Sequence, residues 1–267
     1  MKLIRHQTSG GPAYAAIMPD GKLQEVAGNL ETGFRLLERV VVPGKRLAPI
    51  VPINIIGIAL NYRKHAEESG KGVPERPVWF MKPTGALQNP DDPIVLPSRA
   101  GSQKVDFEGE LAVILGRSCK NVAKEDALSY VLGYTVANDV SARDWQYEWG
   151  GGQFCQAKSF DTFCPLGPAL VTADELTNPD ALHLTTTVNG SIMQDWSTGD
   201  MVFGVAALIA FLSRSRTLPP GTVILTGTPH GVGAARKPPI WLRASDIVTI
   251  DIQGIGSLSN TVEEERA

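Results

Sequence analysis

Val105-Asp106-Phe107-Glu108-Gly109-Glu110-Leu111-Ala112-Val113-Ile114-Leu115 is a stretch whose apolar and acidic residues separate cleanly only if the chain is extended. In a strand, successive side chains point to opposite faces. Val105, Phe107, Leu111, Val113 and Leu115 then share one face. Asp106, Glu108 and Glu110 share the other, with about 7 Å between successive acids. Three like charges on one face repel one another unless water or cations compensate. Read alone, the stretch leaves both a solvated face and a functional site open.

Working outward, Gly133-Tyr134-Thr135-Val136-Ala137-Asn138-Asp139 is a second strand that ends in an acid, a common place for function. Ser141-Ala142-Arg143-Asp144-Trp145 follows and reads as the start of a short helix, so Asp139 also fits the role of its N-cap. Further strand-like runs cover 54–60, 78–81, 167–171, 182–188, 222–225 and 247–252. Val188-Asn189-Gly190-Ser191-Ile192 is a hairpin signal, because Asn-Gly supplies the positive φ angles of a tight turn. Helices are interludes at 62–69, 124–130 and 200–213. Without regular βαβ alternation, so many strands predict a β-rich α+β fold.

The first fifty residues read as short strands at 2–5, 14–18 and 22–26 around the turn Pro19-Asp20-Gly21. An amphipathic helix is then expected, with Thr32 as N-cap and Phe34, Leu37 and Val40 on its apolar face. Pro43-Gly44, Pro49 and Pro52 place a boundary near residue 50, giving a small N-terminal domain (1–50) and a main domain (51–267).

Composition excludes several function classes. The 267 residues are 43% apolar and 20% charged, enough to bury a core. Lys and Arg number 25 against 28 Asp and Glu, a net charge of -3, so neither nucleic acid nor an anionic membrane is an expected partner. No apolar run approaches a membrane span, and the N-terminus lacks a signal-peptide core. Cys119, Cys155 and Cys164 are odd in number and form no CxxC pair, which argues against a disulfide framework and for a cytoplasmic location. There is no GxSxG elbow and no HExxH pair.

Several groups remain as candidates. Glu108, Glu110 and Asp139 would form a hard, all-oxygen site suited to Mg2+ or Mn2+, with Ca2+ also admissible and zinc not. His65 and Glu68 stand at i, i+3 on a helix, where a carboxylate can orient an imidazole and raise its basicity. By spacing alone, an exposed charged face fits them better. Ser69-Gly70-Lys71-Gly72-Val73-Pro74 after them suits the hinge of a lid. The loop Thr226-Gly227-Thr228-Pro229-His230-Gly231-Val232-Gly233 offers exposed amides for a carboxylate or oxyanion, or is simply a tight turn. Lys82 and Lys158 flank apolar stretches and are either surface lysines or buried counter-charges for the acids. Trp145, Tyr147 and Trp149 are candidates for a pocket wall or for a core or dimer contact.

In this order along the chain, these segments resemble the fumarylacetoacetate hydrolase family. The resemblance rests on Gly57 to His65, Phe80-Met81-Lys82-Pro83, Asp106 to Val113, Gly133 to Asp144, Lys158-Ser159-Phe160-Asp161-Thr162 and Thr226 to Gly233. It implies a mixed β-sandwich roll of the family's C-terminal type and a homodimer. It further implies Glu108, Glu110 and Asp139 as ligands of Mg2+ or Mn2+, and His65 and Glu68 as a catalytic dyad on a lid helix. Lys158 would be catalytic as well, with Lys82, Arg143 and Thr228 at the substrate. Asp161 to Pro168, together with Arg236-Lys237-Pro238-Pro239, most resembles the branch that includes mitochondrial oxaloacetate tautomerases.

The substrate implied is a 2-oxo acid. The expected reaction is Mg2+-dependent hydrolysis of a C–C bond in an acylpyruvate-type acid. Oxaloacetate tautomerisation or decarboxylation is the alternative, and a metal-stabilised binding protein without turnover is the reading from another class. Retention of all three acids with His65 and Glu68 argues against the last.

Overall fold

The computed structural model describes residues 1–30 and 32–266. Its central strand, Gly109–Leu115, is buried along its whole length. Both of its faces are covered, which is why five consecutive residues can be apolar. Antiparallel neighbours Val131–Asn138 and Thr222–Leu225 flank it. Asn54–Ala59 adds in parallel to Thr222–Leu225, and Val78–Lys82 forms the edge beyond it. On the other side Cys164–Thr172 is followed by Lys2–Thr8, Gly11–Ile17, Leu23–Asn29 and Gly33–Val41. The N-terminal strands therefore hydrogen-bond into the sheet that carries the acids, through Lys2–Thr8 on Cys164–Thr172.

A second sheet runs Ser191–Ser197, His183–Val188, Ile247–Ile252, Gly256–Glu264 and Ile94–Leu96. It lies against the first, and Leu111, Val136, Ile250 and Leu258 belong to one continuous core. The fold is the β-rich sandwich that the strand pattern predicts. Asn189 and Gly190 turn the expected hairpin with φ of 52° and 78°. The helices are short: α1 is Arg63–Glu68 and α2 is Val205–Leu212. Among the described residues, no helix is long and apolar enough to cross a membrane.

One expected helix is a strand. Residues Gly33–Val41 pair with Leu23–Asn29 in a hairpin. Thr32 does not cap a helix; its amide donates to Asn29 Oδ1 at 3.0 Å and its hydroxyl accepts from the Asn29 amide at 3.2 Å, closing a turn. Gly33 at φ 77° completes that turn. The spacing of Phe34, Leu37 and Val40 fits a helix by coincidence, since Val40 is 63% exposed. The pairing that decides the segment is Phe34 on Tyr14, their rings 4.8 Å apart across the sheet.

Candidate active site

Strand register brings four chain ends together. Gly109 pairs with Asn138, Ala112 with Leu225, and Leu225 with Gly57. The start of the central strand therefore meets the ends of its neighbours. Glu108 and Asp139 are joined across this edge by the Asp139 amide, which donates to the Glu108 carbonyl at 2.9 Å. The single strand expected over 105–115 is interrupted: Val105–Asp106 pairs with Ser141–Ala142 in a separate sheet, Glu108 stands just before the central strand and Glu110 is its second residue. One oxygen from each of Glu108, Glu110 and Asp139 lies within 4.8 Å of the others, and all three residues are buried. The solvated face left open for this strand is not what forms. Asp139 caps no helix either: the helical turn Trp145–Trp149 starts later, on the Asp144 side chain.

Buried cations surround the acids. Lys158 Nζ donates to Glu108 Oε2 at 2.7 Å and to Asp139 Oδ2 at 2.6 Å. Lys82 Nζ donates to Asp139 Oδ1 at 2.6 Å. Arg143 donates through Nη2 to Glu108 Oε1 at 2.6 Å, through Nε to Asp106 Oδ2 at 2.9 Å and through Nη1 to Gln146 at 2.7 Å. Burial alone would raise the Glu108 carboxyl, but Lys158 and Arg143 outweigh it and hold the group far below the usual range. Burial likewise opposes charge on Lys158, yet Asp139 and Glu108 prevail and keep its ammonium protonated. The three buried cations thus face four buried carboxylates, counting Asp106.

The uncompensated acid is Glu110. Among the described residues no ion pair reaches it. Among the same residues it accepts a hydrogen bond from the Gly227 amide alone, at 2.7 Å. Burial, then Asp139 and Glu108, push its carboxyl well above the ordinary value. With Glu110 ionised, the all-oxygen set carries one negative charge in excess, which a hard divalent cation would offset.

His65 Nδ1 lies 2.7 Å from Glu68 Oε1 on α1, as the i, i+3 spacing predicts. Both oxygens of Glu68 also accept the Gly231 amide, at 2.9 and 3.1 Å. The glycine-rich loop does hold carboxylates, but they are the protein's own. Gly227 serves Glu110, Gly231 serves Glu68, and Gly233 and Ala234 serve Asp106 at 2.8 and 3.0 Å. Thr228 donates to the Gly109 carbonyl at 2.9 Å and accepts from Gln194 at 2.7 Å.

A narrow cleft opens over Glu108, lined by His65, Phe80, Arg143, Lys158 and Thr228 among others; Glu110 and Asp139 lie behind its wall. Lys82 does not line it; its ammonium is spent on Asp139 and the Val140 carbonyl. Phe80 can lie close because Gly57 is beneath it: a Cβ there would stand 2.3 Å from the ring. Of the aromatic trio, Tyr147 lines the cleft, while Trp145 packs edge-on to Trp149 and Phe160.

Three residues outside the expected set hold this site. Asp106 ties Arg143 to the glycine loop. Gln194 crosses from the second sheet to Gly109 and Thr228. Asn61, fully buried, donates to the carbonyls of Thr226 and Phe203 and accepts the Phe203 amide, at 2.8–3.0 Å. It thereby joins the strand leading to α1, the glycine loop and the segment before α2. Asn61→Ala strands those partners in the interior and is expected to cost about 3 kcal/mol, measured by urea unfolding, and to lower turnover with it.

The chain belongs to the fumarylacetoacetate hydrolase family: the family model described as fumarylacetoacetate (FAA) hydrolase C-terminal matches residues 54–263. The oxaloacetate tautomerase fahd2 of Xenopus laevis, named as mitochondrial, is 46% identical over 92% of this chain and 76% of its own length. Among solved structures, a 5-carboxymethyl-2-hydroxymuconate delta-isomerase from Mycobacterium smegmatis aligns over 99% of this chain and 100% of its own. Its TM-score is 0.86 at 39% identity. A fumarylacetoacetate hydrolase from psychrophilic Exiguobacterium antarcticum aligns with the same coverage and TM-score at 34% identity. These relatives bear the names of enzymes acting on small molecules. The mitochondrial name of the Xenopus protein does not match the cytoplasmic location expected from composition.

Proposed function

We propose that this protein is a divalent-metal-dependent oxaloacetate keto–enol tautomerase. The observation that carries the reading is one cleft lined both by His65, which is bonded to Glu68, and by Glu108 of the buried carboxylate triad, in a chain 46% identical to a protein so named. The sequence put hydrolysis first; we reverse that order, because interconverting keto and enol forms requires only a proton to move. Glu108, Glu110 and Asp139 would hold Mg2+ or Mn2+. Bound there, the ion supplies Lewis-acid stabilisation of the negative charge that develops on a 2-oxo acid. His65 takes the proton from the substrate carbon and returns it to oxygen, while Glu68 fixes the imidazole through Nδ1 and supports its positive charge. Lys158, kept protonated, holds Glu108 and Asp139 in place. Arg143 fixes Glu108 from the opposite side. The homodimer implied by the resemblance is part of this proposal.

Hydrolysis of an acylpyruvate-type acid is the second reading. His65 is partly exposed, its side chain 12% accessible, and can take a proton from water as well as from carbon. The test is a panel of oxaloacetate and acylpyruvates with Mg2+, followed by enol absorbance and NMR. The expected result is faster enol–keto exchange of oxaloacetate with the carbon skeleton intact. Release of pyruvate, or of a cleaved acyl fragment, would replace the proposal with decarboxylation or hydrolysis.

A further inference from the structure

Beside the cleft over Glu108 is a second, broader one, and the two share His65, Ser69, Lys71 and Tyr147. Its wall carries Lys71, Arg236 and Lys237. Among the described residues none of these three cations takes part in an ion pair. The one carboxylate on the wall, Glu68, is already bonded to His65 and the Gly231 amide. The outer cleft is thus positive, directly adjoining the proton-transfer dyad. Clefts lined by one sign of charge concentrate ligands of the other.

Two of the cations are placed rather than merely present. Lys71 belongs to both clefts, and its ammonium lies 5.7 Å from the centre of the Tyr147 ring. Arg236 is anchored through Nη2, which donates to the Met193 carbonyl at 2.6 Å. That bond ties the guanidinium to the second sheet. Lys237 is exposed and adds charge to the rim.

We propose that this outer cleft is the subsite for a second carboxylate of the substrate. Lys71 receives it first, and Arg236 and Lys237 extend the field outward. The cleft over Glu108 then takes the 2-oxo-acid end, and the chain selects dicarboxylic over monocarboxylic 2-oxo acids. This assignment rests on the tautomerase reading and names the residues that would make oxaloacetate its substrate.

The test compares oxaloacetate with its 4-methyl ester, which keeps the reacting atoms and neutralises the distal carboxylate. With Mg2+ present, wild-type enzyme is expected to favour the diacid in kcat/KM by about 10–100-fold, carried mainly by KM. Lys71→Gln and Arg236→Gln should each reduce that ratio, and the double variant should bring it within about 2-fold of unity. Being a ratio on one protein sample, it is insensitive to partial unfolding. Equal kcat/KM for diacid and ester in the wild type, or an undiminished ratio in the double variant, would overturn the subsite. If neither compound is tautomerised, the tautomerase reading has failed. Calorimetric competition between diacid and ester then decides the subsite alone, with equal affinities overturning it and a preference lost in the double variant upholding it.

Discussion

Glu110→Gln is expected to abolish the response to divalent ions and to lower turnover by about 10³-fold, the several kcal/mol of a Lewis-acid contribution at 1.36 kcal/mol per tenfold. In wild-type protein, Mg2+ at 100 times its Kd should add about 2.7 kcal/mol of stability, read as a rise of about 5–10 °C in Tm. The variant should show no such rise. Its ion-free form should nevertheless be at least as stable as ion-free wild type. Glu110 is the acid without a cation, and glutamine keeps its volume and can still accept the Gly227 amide. Glu108→Gln is the contrasting case. It removes the charge that both Arg143 and Lys158 bond, leaving buried cations under-compensated at a cost of about 3–5 kcal/mol. Thermal unfolding of the three proteins with and without Mg2+ checks both halves. An undiminished Mg2+ shift in Glu110→Gln would remove this residue from the ion site.

The difference between these two glutamates also marks how far the sequence could be read. Alternation put Glu108 and Glu110 on one face, and they do converge, because the pattern is a local backbone property, even though the strand is interrupted at Phe107 and Glu108. The strand content and the Asn189-Gly190 hairpin were legible for the same reason. What alternation could not convey is which acid is paired. Lys82, Lys158 and Arg143 lie far away in the chain, and their burial follows from sheet register, which no local pattern encodes. Asp106 shared the acidic face and was visible as a residue, but its partners, Arg143 and the amides of Gly233 and Ala234, were not. Gln194 gave no signal, and Asn61 was visible only inside the Gly57 to His65 motif with no role of its own, since an uncharged amide in a strand or before a helix reads as ordinary surface. The segment Gly33–Val41 misled because Phe34, Leu37 and Val40 fall at helical spacing, although Phe34 and Leu37 are only partly buried and Val40 is exposed. There the positive φ of Gly33 and the aromatic contact with Tyr14 decided the outcome.

His65→Ala should lower kcat by about 10²–10⁴-fold, the usual range for a general acid–base group, while metal affinity stays within a few-fold. The separation follows from geometry. His65 is on α1, bonded to Glu68 and on the wall of the cleft, whereas the three carboxylates are held by Lys82, Lys158, Arg143 and the Gly227 amide. Removing the imidazole breaks none of those bonds. Glu68→Gln should act in the same direction but more weakly. It removes the charge that supports a protonated imidazole, yet its amide oxygen can still accept the Gly231 amide that ties α1 to the glycine loop. Glu68→Ala removes that tie too and should cost more than Glu68→Gln, the excess measuring how far the loop contact holds α1 in place. Metal titration and kcat on the three variants separate these contributions. Loss of metal binding in His65→Ala would make His65 part of the ion site, and an unchanged kcat would dismiss the dyad as the proton carrier. If exchange of oxaloacetate persisted while cleavage of an acylpyruvate disappeared, His65 would be the group that activates water, and hydrolysis would become the leading reading.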